Sequence, residues 1–160
     1  MRITAKVDYA VRAVIELAAA PPSPDVHNGR PRPVKGAHIS KAQNIPVKFL
    51  ETILAELRHD GIVGSRRGAE GGYWLAKPAE SVSVADIIRA VEGPLADVRG
   101  VRPDALEYGD DLVALQRMWV AVRANLRAVL EEVTIADLRA DKLPGAIDRI
   151  ADDPDAWLTR

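Results

Sequence analysis

The 160-residue sequence contains no cysteine. Disulfides are therefore excluded, and so are the thiolate ligands that hold iron–sulfur clusters and many zinc sites. Aromatic residues make up only 4% of the chain, so we expect an aliphatic core. Long apolar runs are also missing, because Asp8, Arg12 and Glu16 interrupt the most apolar N-terminal stretch. We expect no membrane span and no signal peptide, and hence a cytoplasmic protein.

Signatures of catalysis are absent from the sequence as well. It contains no G-x-S-x-G elbow, no H-E-x-x-H zinc motif and no phosphate loop that ends in G-K-[ST]. The glycine-rich stretch 68–72 precedes a predicted strand and lacks the following helix that a dinucleotide site needs. The three histidines are scattered, and a lone histidine is seldom a ligand. We therefore predict that the protein is not an enzyme and has neither a metal site nor a cofactor.

Charge is distributed unevenly along a chain whose net charge is −1. Residues 1–78 contain 12 Lys and Arg against 7 Asp and Glu, a net charge of +5. Residues 79–160 contain 10 against 16, a net charge of −6. A basic front half suggests that this half binds an anionic partner, whereas the acidic half has another task.

The most informative stretch is Ile45–Leu75, which begins with a helical pattern. Its apolar residues recur at i, i+3, i+4 and i+7, which predicts a helix over about 46–60 with one buried face. Gly61 is a suitable residue to end that helix. The residues on the buried face are Leu50, Ile53, Leu54 and Leu57. The residues on the opposite, more polar face are Lys48, Thr52, Ala55 and His59.

A hairpin is predicted directly after this helix. Ile62 and Val63 favour a short strand, and Tyr73–Leu75 favours the returning strand. Between them, Arg66 and Arg67 stand at the edge of a glycine-rich turn over 68–72. A helix with an exposed polar face, followed by a hairpin with arginines at its tip, is the pattern of a winged helix-turn-helix.

The segments that precede this stretch fit the same architecture. Thr4 is a suitable N-cap for a helix to about Ala20. The Pro-rich stretch 21–33 is either a tolerated surface insertion or a basic arm, carrying Arg30, Arg32 and Lys35, that reaches a phosphate backbone. A short helix over Val34–Gln43 and a turn complete the helix-turn-helix, with Pro46 expected at the first helical position of the next helix.

The C-terminal half contains two capping boxes and a long helix. Ser83–Asp86 and Thr134–Asp137 have the capping-box pattern, and 94–110 is expected to be a loop. Asp110 and Asp111 open a helix about 33 Å long. Its apolar residues follow heptad spacing, which indicates a dimerisation helix, with an intramolecular core helix as the alternative. The residues of this heptad seam are Leu112, Leu115, Trp119, Val122, Leu126, Val129 and Val133.

Several stretches together resemble the Rrf2 family of transcriptional regulators, the group that includes IscR, NsrR and CymR. They span residues 1 to about 93 and comprise M-R-I-T-x-K-x-x-Y-A-V-x-A at 1–13, F-L-E at 49–51, L-R at 57–58, G-I-V at 61–63, R-G-x-x-G-G-Y-x-L at 67–75 and V-A-D-I-I-R-A-V-E-G at 84–93. The resemblance implies a mainly α fold with a small β-wing, a winged helix-turn-helix domain at 1–93, a linker or sensor loop at 94–110, and a dimerisation helix with short C-terminal helices at 111–160.

The resemblance also implies a function and a set of residues that perform it. The function is that of a homodimeric regulator, expected to act as a repressor, which binds a palindromic operator in double-stranded DNA. Lys48, Glu51 and Thr52 would read bases, Arg67 would enter the minor groove, and residues near the N-terminus would contact phosphates. The candidate DNA-binding residues are Arg2, Thr4, Lys6, Lys48, Glu51, Thr52, Arg66, Arg67, Gly68 and Tyr73.

The chain departs from the best-known family members at the signal-sensing loop. Those members have three cluster-binding cysteines where this chain has none, so we expect control by a signal other than an iron–sulfur cluster. Asp8 stands where some relatives place a non-thiolate ligand, but a helix-surface role is the simpler interpretation. Tyr108, Met118 and Trp119 are candidates for an effector pocket or for plain core packing. The alternative function is a dimeric adaptor, or a regulator that a partner protein controls, with weak DNA specificity of its own.

Overall fold

A computed structural model describes residues 3–20 and 32–158 and confirms a mainly helical fold with a small β-hairpin. The helices are α1 Ala5–Ala19, α2 Gly36–Gln43, α3 Val47–His59, α4 Val84–Glu92, α5 Val113–Leu130, α6 Ile135–Arg139 and α7 Gly145–Ala151, and the strands are β1 Val63–Arg66 and β2 Gly72–Leu75. Within the described part of the chain, no helix has the length and hydropathy needed to cross a membrane.

Helix α1 lies at the centre of the fold and packs against α2, α3, α4 and α6. Thr4 is its N-cap, as predicted, because the Thr4 hydroxyl accepts a hydrogen bond of 3.2 Å from the backbone N–H of Val7. Val7, Val14 and Leu17 are buried on its inner side, where they meet the apolar face of α3. The core is therefore built from aliphatic side chains, in line with the scarcity of aromatics.

The segment before α2 differs from the prediction. The helix begins at Gly36 rather than at Val34. Val34 instead forms an isolated β-bridge with Tyr73: its N–H donates to the Tyr73 carbonyl at 2.7 Å, and the Tyr73 N–H donates to the Val34 carbonyl at 2.8 Å. This pairing adds one residue beside β2, on the edge that β1 leaves free. Val34 and Tyr73 are far apart in the sequence, so no local sequence pattern predicts their pairing.

The turn that joins α2 and α3 depends on an unusual backbone angle. Asn44 adopts the left-handed conformation with φ 51°, which asparagine tolerates better than most residues. The Ser40 hydroxyl donates to the Ile45 carbonyl at 2.6 Å, and the Arg12 guanidinium donates to the Gln43 carbonyl. Pro46 is the N-cap of α3, with ψ 131°, and not its first helical residue as predicted.

Helix α6, which the predicted division placed with the dimerisation helix at 111–160, packs in the core of the winged domain. Ile135 is fully buried in the same core as α1 and α4. The Val84 N–H donates to the Val133 carbonyl at 2.9 Å, and the Ile135 N–H donates to the Val82 carbonyl at 2.9 Å. The chain therefore leaves the domain at α5 and returns at α6, a path that local sequence patterns do not reveal.

Both predicted capping boxes are confirmed. In the first, burial raises the pKa of Asp86, but hydrogen bonds from the hydroxyl and N–H of Ser83, together with the charge of Arg89, outweigh burial and hold that pKa below its usual value of 3.8. In the second, hydrogen bonds from the side chain and backbone of Thr134 lower the pKa of Asp137.

These capping boxes predict a loss of stability in acid. A carboxyl with a lowered pKa in the folded state stabilises the fold above its unfolded-state pKa, and this contribution disappears as the pH falls through the folded-state pKa. We expect Asp86→Asn to lose less free energy of unfolding than the parent between about pH 5 and pH 2. Urea unfolding at a series of pH values measures this, with Asp97→Asn as an exposed control. Parallel curves for the parent and Asp86→Asn would contradict the prediction.

The segment 94–110 is packed against the fold. Leu95, Pro103 and Leu106 are buried in it. The Arg123 guanidinium donates to the Leu95 carbonyl, and the side-chain amide of Gln116 donates to the Leu106 carbonyl at 2.7 Å. The predicted loop is therefore anchored to α5 by two side chains of that helix.

The long helix is shorter than predicted. A 3-10 turn over Asp110–Leu112 precedes α5, which runs only from Val113 to Leu130 and is about 27 Å long. Val133 lies beyond the end of the helix and is 6% exposed, because its backbone pairs with Val84 inside the winged domain. Heptad spacing thus predicted a helix that is too long at both ends.

Candidate nucleic-acid interface

Helix α3 separates its buried and exposed residues as the sequence predicts. Leu50, Ile53, Leu54 and Leu57 are buried in the core and fix the rotation of the helix about its axis. Near its N-terminus, the Phe49 ring makes an edge-to-face contact with the Tyr9 ring of α1, at 5.7 Å between centroids.

The predicted base-reading side chains of α3 share an exposed surface. Lys48, Glu51 and Thr52 are all exposed. The Thr52 hydroxyl donates to the Lys48 carbonyl at 3.2 Å, which leaves its oxygen lone pairs available as acceptors. Nothing in the described part of the chain binds the Lys48 ammonium or the Glu51 carboxylate. These three residues offer a donor, an acceptor and a hydroxyl on one helical turn, which is the chemistry that base edges require.

The wing follows α3 as a tight antiparallel hairpin. Strands β1 and β2 pair Val63 with Leu75 and Arg66 with Gly72. A Cβ atom on Gly64 would lie 2.4 Å from the Trp74 ring, so the indole packs directly on the glycine backbone. Trp74 is therefore a packing residue of the wing.

The turn of the wing requires glycine at one position. A Cβ atom on Gly71 would lie 2.2 Å from the Arg66 carbonyl oxygen and 2.7 Å from the Arg67 carbonyl carbon. The Gly71 N–H also donates to the Gly68 carbonyl at 2.9 Å. Gly68 has φ 101°, a conformation that side chains disfavour. The glycines thus allow a compact turn.

The two arginines of the wing have different surroundings. The Arg66 guanidinium donates to the Glu70 carbonyl at 2.9 Å and so braces the turn. Lys35 also supports it, because its ammonium donates to the Ala69 carbonyl. Arg67 is exposed at the tip, and its guanidinium has no partner in the described part of the chain. Arg67 is therefore the wing cation that remains available to a ligand, whereas Lys35, which the sequence suggested for a phosphate-binding arm, is bound to the turn.

Residues near the N-terminus are tied into the fold. Lys6 Nζ lies 2.9 Å from Glu56 of α3 and donates to the Val91 carbonyl at 2.6 Å. The Thr4 hydroxyl donates to Glu92 at 2.7 Å. Arg2 lies outside the described residues. The phosphate-contacting role of these residues stays a prediction, and for Lys6 it competes with an internal ion pair. Glu56 was missed from the sequence because a lone carboxylate on an amphipathic helix carries no distinguishing signal.

The side chains suggested for an effector pocket lie around the base of α5. Tyr108 is half-buried under Arg99, whose guanidinium carbon lies 5.8 Å from the ring centroid. Trp119 is half-buried, and Met118 is exposed. Among the residues described, no group of three or more His, Asp or Glu side chains is arranged to hold a metal ion. Asp8 is paired with Arg12 at 3.2 Å, which agrees with a helix-surface role.

Helix α5 is apolar but contains no fully buried residue along its length. Within the predicted seam, Leu112 and Val122 are exposed, and the other seam residues of the helix are half-buried: Leu115, Trp119, Leu126 and Val129. A helix with this composition is normally covered by another surface.

Comparison with known proteins decides the family. The sequence model of the Rrf2 family, described as iron-dependent transcriptional regulator, matches residues 3–141. The chain belongs to the Rrf2 family. It is 44% identical over 153 residues to Rv1287 of Mycobacterium tuberculosis, a protein named for an HTH-type transcriptional regulator, and the match covers 96% of this chain and 90% of that protein.

Solved structures of other Rrf2 proteins share this fold. CymR of Bacillus subtilis, described as the global cysteine regulator, superimposes with a TM-score of 0.69 at 30% identity, covering 89% of this chain and 98% of CymR. IscR of T. potens superimposes with a TM-score of 0.64 at 29% identity, covering all of this chain and 93% of IscR. This Rrf2 protein is therefore a winged-helix transcriptional regulator, and the resemblance inferred from its motifs is confirmed.

Proposed function

We propose that this Rrf2 protein is a homodimeric repressor that works in the cytoplasm and binds a palindromic operator. The observation that carries the proposal is the combination of α3, which has an exposed polar face, with a wing whose tip presents the exposed Arg67 guanidinium. Two such units in a dimer would place their recognition helices in successive major grooves, about 34 Å apart along B-DNA.

The chemistry of each contact follows from its surface. On α3, Lys48 can donate to base edges, the Thr52 hydroxyl oxygen can accept from them, and Glu51 can accept from a cytosine amino group. At the wing, Arg67 suits a narrow minor groove, where the negative potential is enhanced. Tyr73 holds the wing to Val34 through its backbone, and a contact of its side chain with DNA stays a prediction.

The dimer is proposed from the exposure of α5. The predicted seam residues on this helix remain exposed or half-buried in one protomer, and a second copy would cover them. Burying apolar surface stabilises such an association. The signal that controls the protein is proposed to be something other than an iron–sulfur cluster, because the 160 residues include no thiolate ligand.

The test is DNA binding measured by fluorescence anisotropy. The probe is the DNA upstream of the protein's own gene, with a scrambled duplex as competitor, over a series of salt concentrations. We expect binding that weakens steeply with salt and retains a preference for the upstream sequence. Binding without any sequence preference would contradict the proposal and favour an adaptor.

Arg67→Ala is expected to weaken operator binding by about 1–3 kcal/mol, since it removes the wing cation. The matched control is Arg102→Ala, which removes the same charge from the segment 94–110, where Arg102 pairs with Asp104 at 2.7 Å. The same anisotropy titration measures both variants at one salt concentration. If Arg67→Ala binds as tightly as the parent, the wing does not contact the DNA.

A further inference from the structure

The C-terminal arm, defined as residues 144–158, exposes apolar side chains. It contains α7 and a 3-10 turn over Pro154–Trp157. Ile150, Trp157 and Leu158 are 58%, 79% and 62% exposed. The Rrf2 match ends at residue 141, before the arm begins. A helix of seven residues is marginal in water by itself, so the arm needs a surface to pack on.

A suitable surface lies on α5, away from the predicted dimerisation seam. Val113, Arg117 and Val120 follow each other at i, i+4 and i+7 and share one face, which we call the α5 flank. At 100° per residue, the flank is on roughly the opposite side of the helix from the seam. Val113 and Val120 are 51% and 40% exposed. The Arg117 guanidinium has no partner in the described part of the chain.

The charges of the arm and of α5 are complementary. The arm carries four aspartates against one arginine. Helix α5 has no acidic residue, and Arg117 on its flank has no partner in the described part of the chain, whereas Arg123 donates to the Leu95 carbonyl and Arg127 pairs with Glu131. Each surface therefore combines exposed apolar groups with a net charge, which is negative on the arm and positive on the flank. Such complementarity selects a partner and sets its orientation.

The arm and the flank do not cover each other within one protomer, because both are exposed in the same structure. We propose that the arm of one protomer docks on the α5 flank of the other protomer and clasps the dimer. This inference rests on the proposed homodimer, in which the two α5 helices lie together. It adds a second contact between the protomers, in which the arm, beyond the residues that match the family model, meets a flank within them.

The absence of cysteine makes a direct test feasible. Val120→Cys and Leu158→Cys together place one thiol on the flank and one on the arm, in a chain without other thiols. We expect mild oxidation to produce a dimer that survives denaturing, non-reducing electrophoresis. Docking raises the local thiol concentration, so the yield of cross-linked dimer should exceed that of the control by about tenfold. The control is Ala37→Cys with Leu158→Cys, since Ala37 is exposed on α2.

The remaining outcomes each overturn the inference in a recognisable way. A disulfide within one chain would mean that the arm folds onto its own α5, and a dimer yield equal to that of the control would mean that the arm does not dock on α5. Val113→Cys replaces Val120→Cys if circular dichroism shows that the first variant is misfolded. Sedimentation of the parent protein separates the two proposals: a monomer rejects the homodimer itself, whereas a dimer without the cross-link rejects only the clasp.

Discussion

Leu57→Ala is expected to lower the free energy of unfolding by about 2–5 kcal/mol, because it removes a fully buried side chain and leaves a cavity. Leu57 lies on the inner face of α3, in the core that α1 shares. The same cavity would loosen the packing of α3 against the core. We therefore expect weaker operator binding even where the variant is still folded.

Urea unfolding followed by circular dichroism measures this loss. The matched control is Ala55→Ser on the exposed side of the same helix, which should change the free energy of unfolding by less than about 1 kcal/mol. Equal losses in the two variants would contradict the inward orientation of Leu57 and, with it, the outward orientation of Lys48, Glu51 and Thr52.

Gly71→Ala is expected to weaken operator binding about as much as Arg67→Ala, by roughly 1–3 kcal/mol. The new Cβ atom would meet the Arg66 carbonyl oxygen at 2.2 Å, and neither backbone segment can yield without opening the turn. The wing would then present Arg67 in a different place. The core would be largely unaffected, since Arg66 and Arg67 are exposed.

The double variant Arg67→Ala, Gly71→Ala sharpens this test. If both substitutions act through the same wing contact, the double variant should have about the same DNA affinity as the single variant that binds more weakly. Anisotropy titrations at one salt concentration give the three affinities. Ala69→Ser, at an exposed position of the same turn, is the control for a tolerated change. Fully additive losses would show that Gly71 and Arg67 act independently.

The features predicted well from the sequence depend on neighbours along the chain. The apolar spacing of α3 predicted which residues are buried, because helical geometry alone places i, i+3, i+4 and i+7 on one side. The capping boxes at Ser83 and Thr134 were predicted for the same reason, since each hydrogen-bonded pair spans three residues. The predicted base-reading residues and Arg67 came from the family resemblance, and the structure leaves their side chains accessible.

The features that were missed depend on contacts between distant segments. Val34 was assigned to a helix but pairs with Tyr73, because an edge of the wing offers its backbone a partner 39 residues away. The phosphate contact of Lys6 stays a prediction, but the ion pair of Lys6 with Glu56 of another helix was not predicted. Val133 continued the heptad pattern, yet it is buried beyond the helix end because its carbonyl accepts from Val84.

Helix α3, the wing and the helix caps could be predicted from the sequence because each is encoded within a few consecutive residues, and the family could be predicted from several such stretches taken together. Three features became visible only in the folded protein: α6 rejoins the winged domain, Gln116 and Arg123 anchor 94–110, and Arg66 rather than Arg67 braces the turn of the wing. Those outcomes depend on which backbone and side-chain groups meet across the fold, and periodicity along the chain carries no information about such meetings.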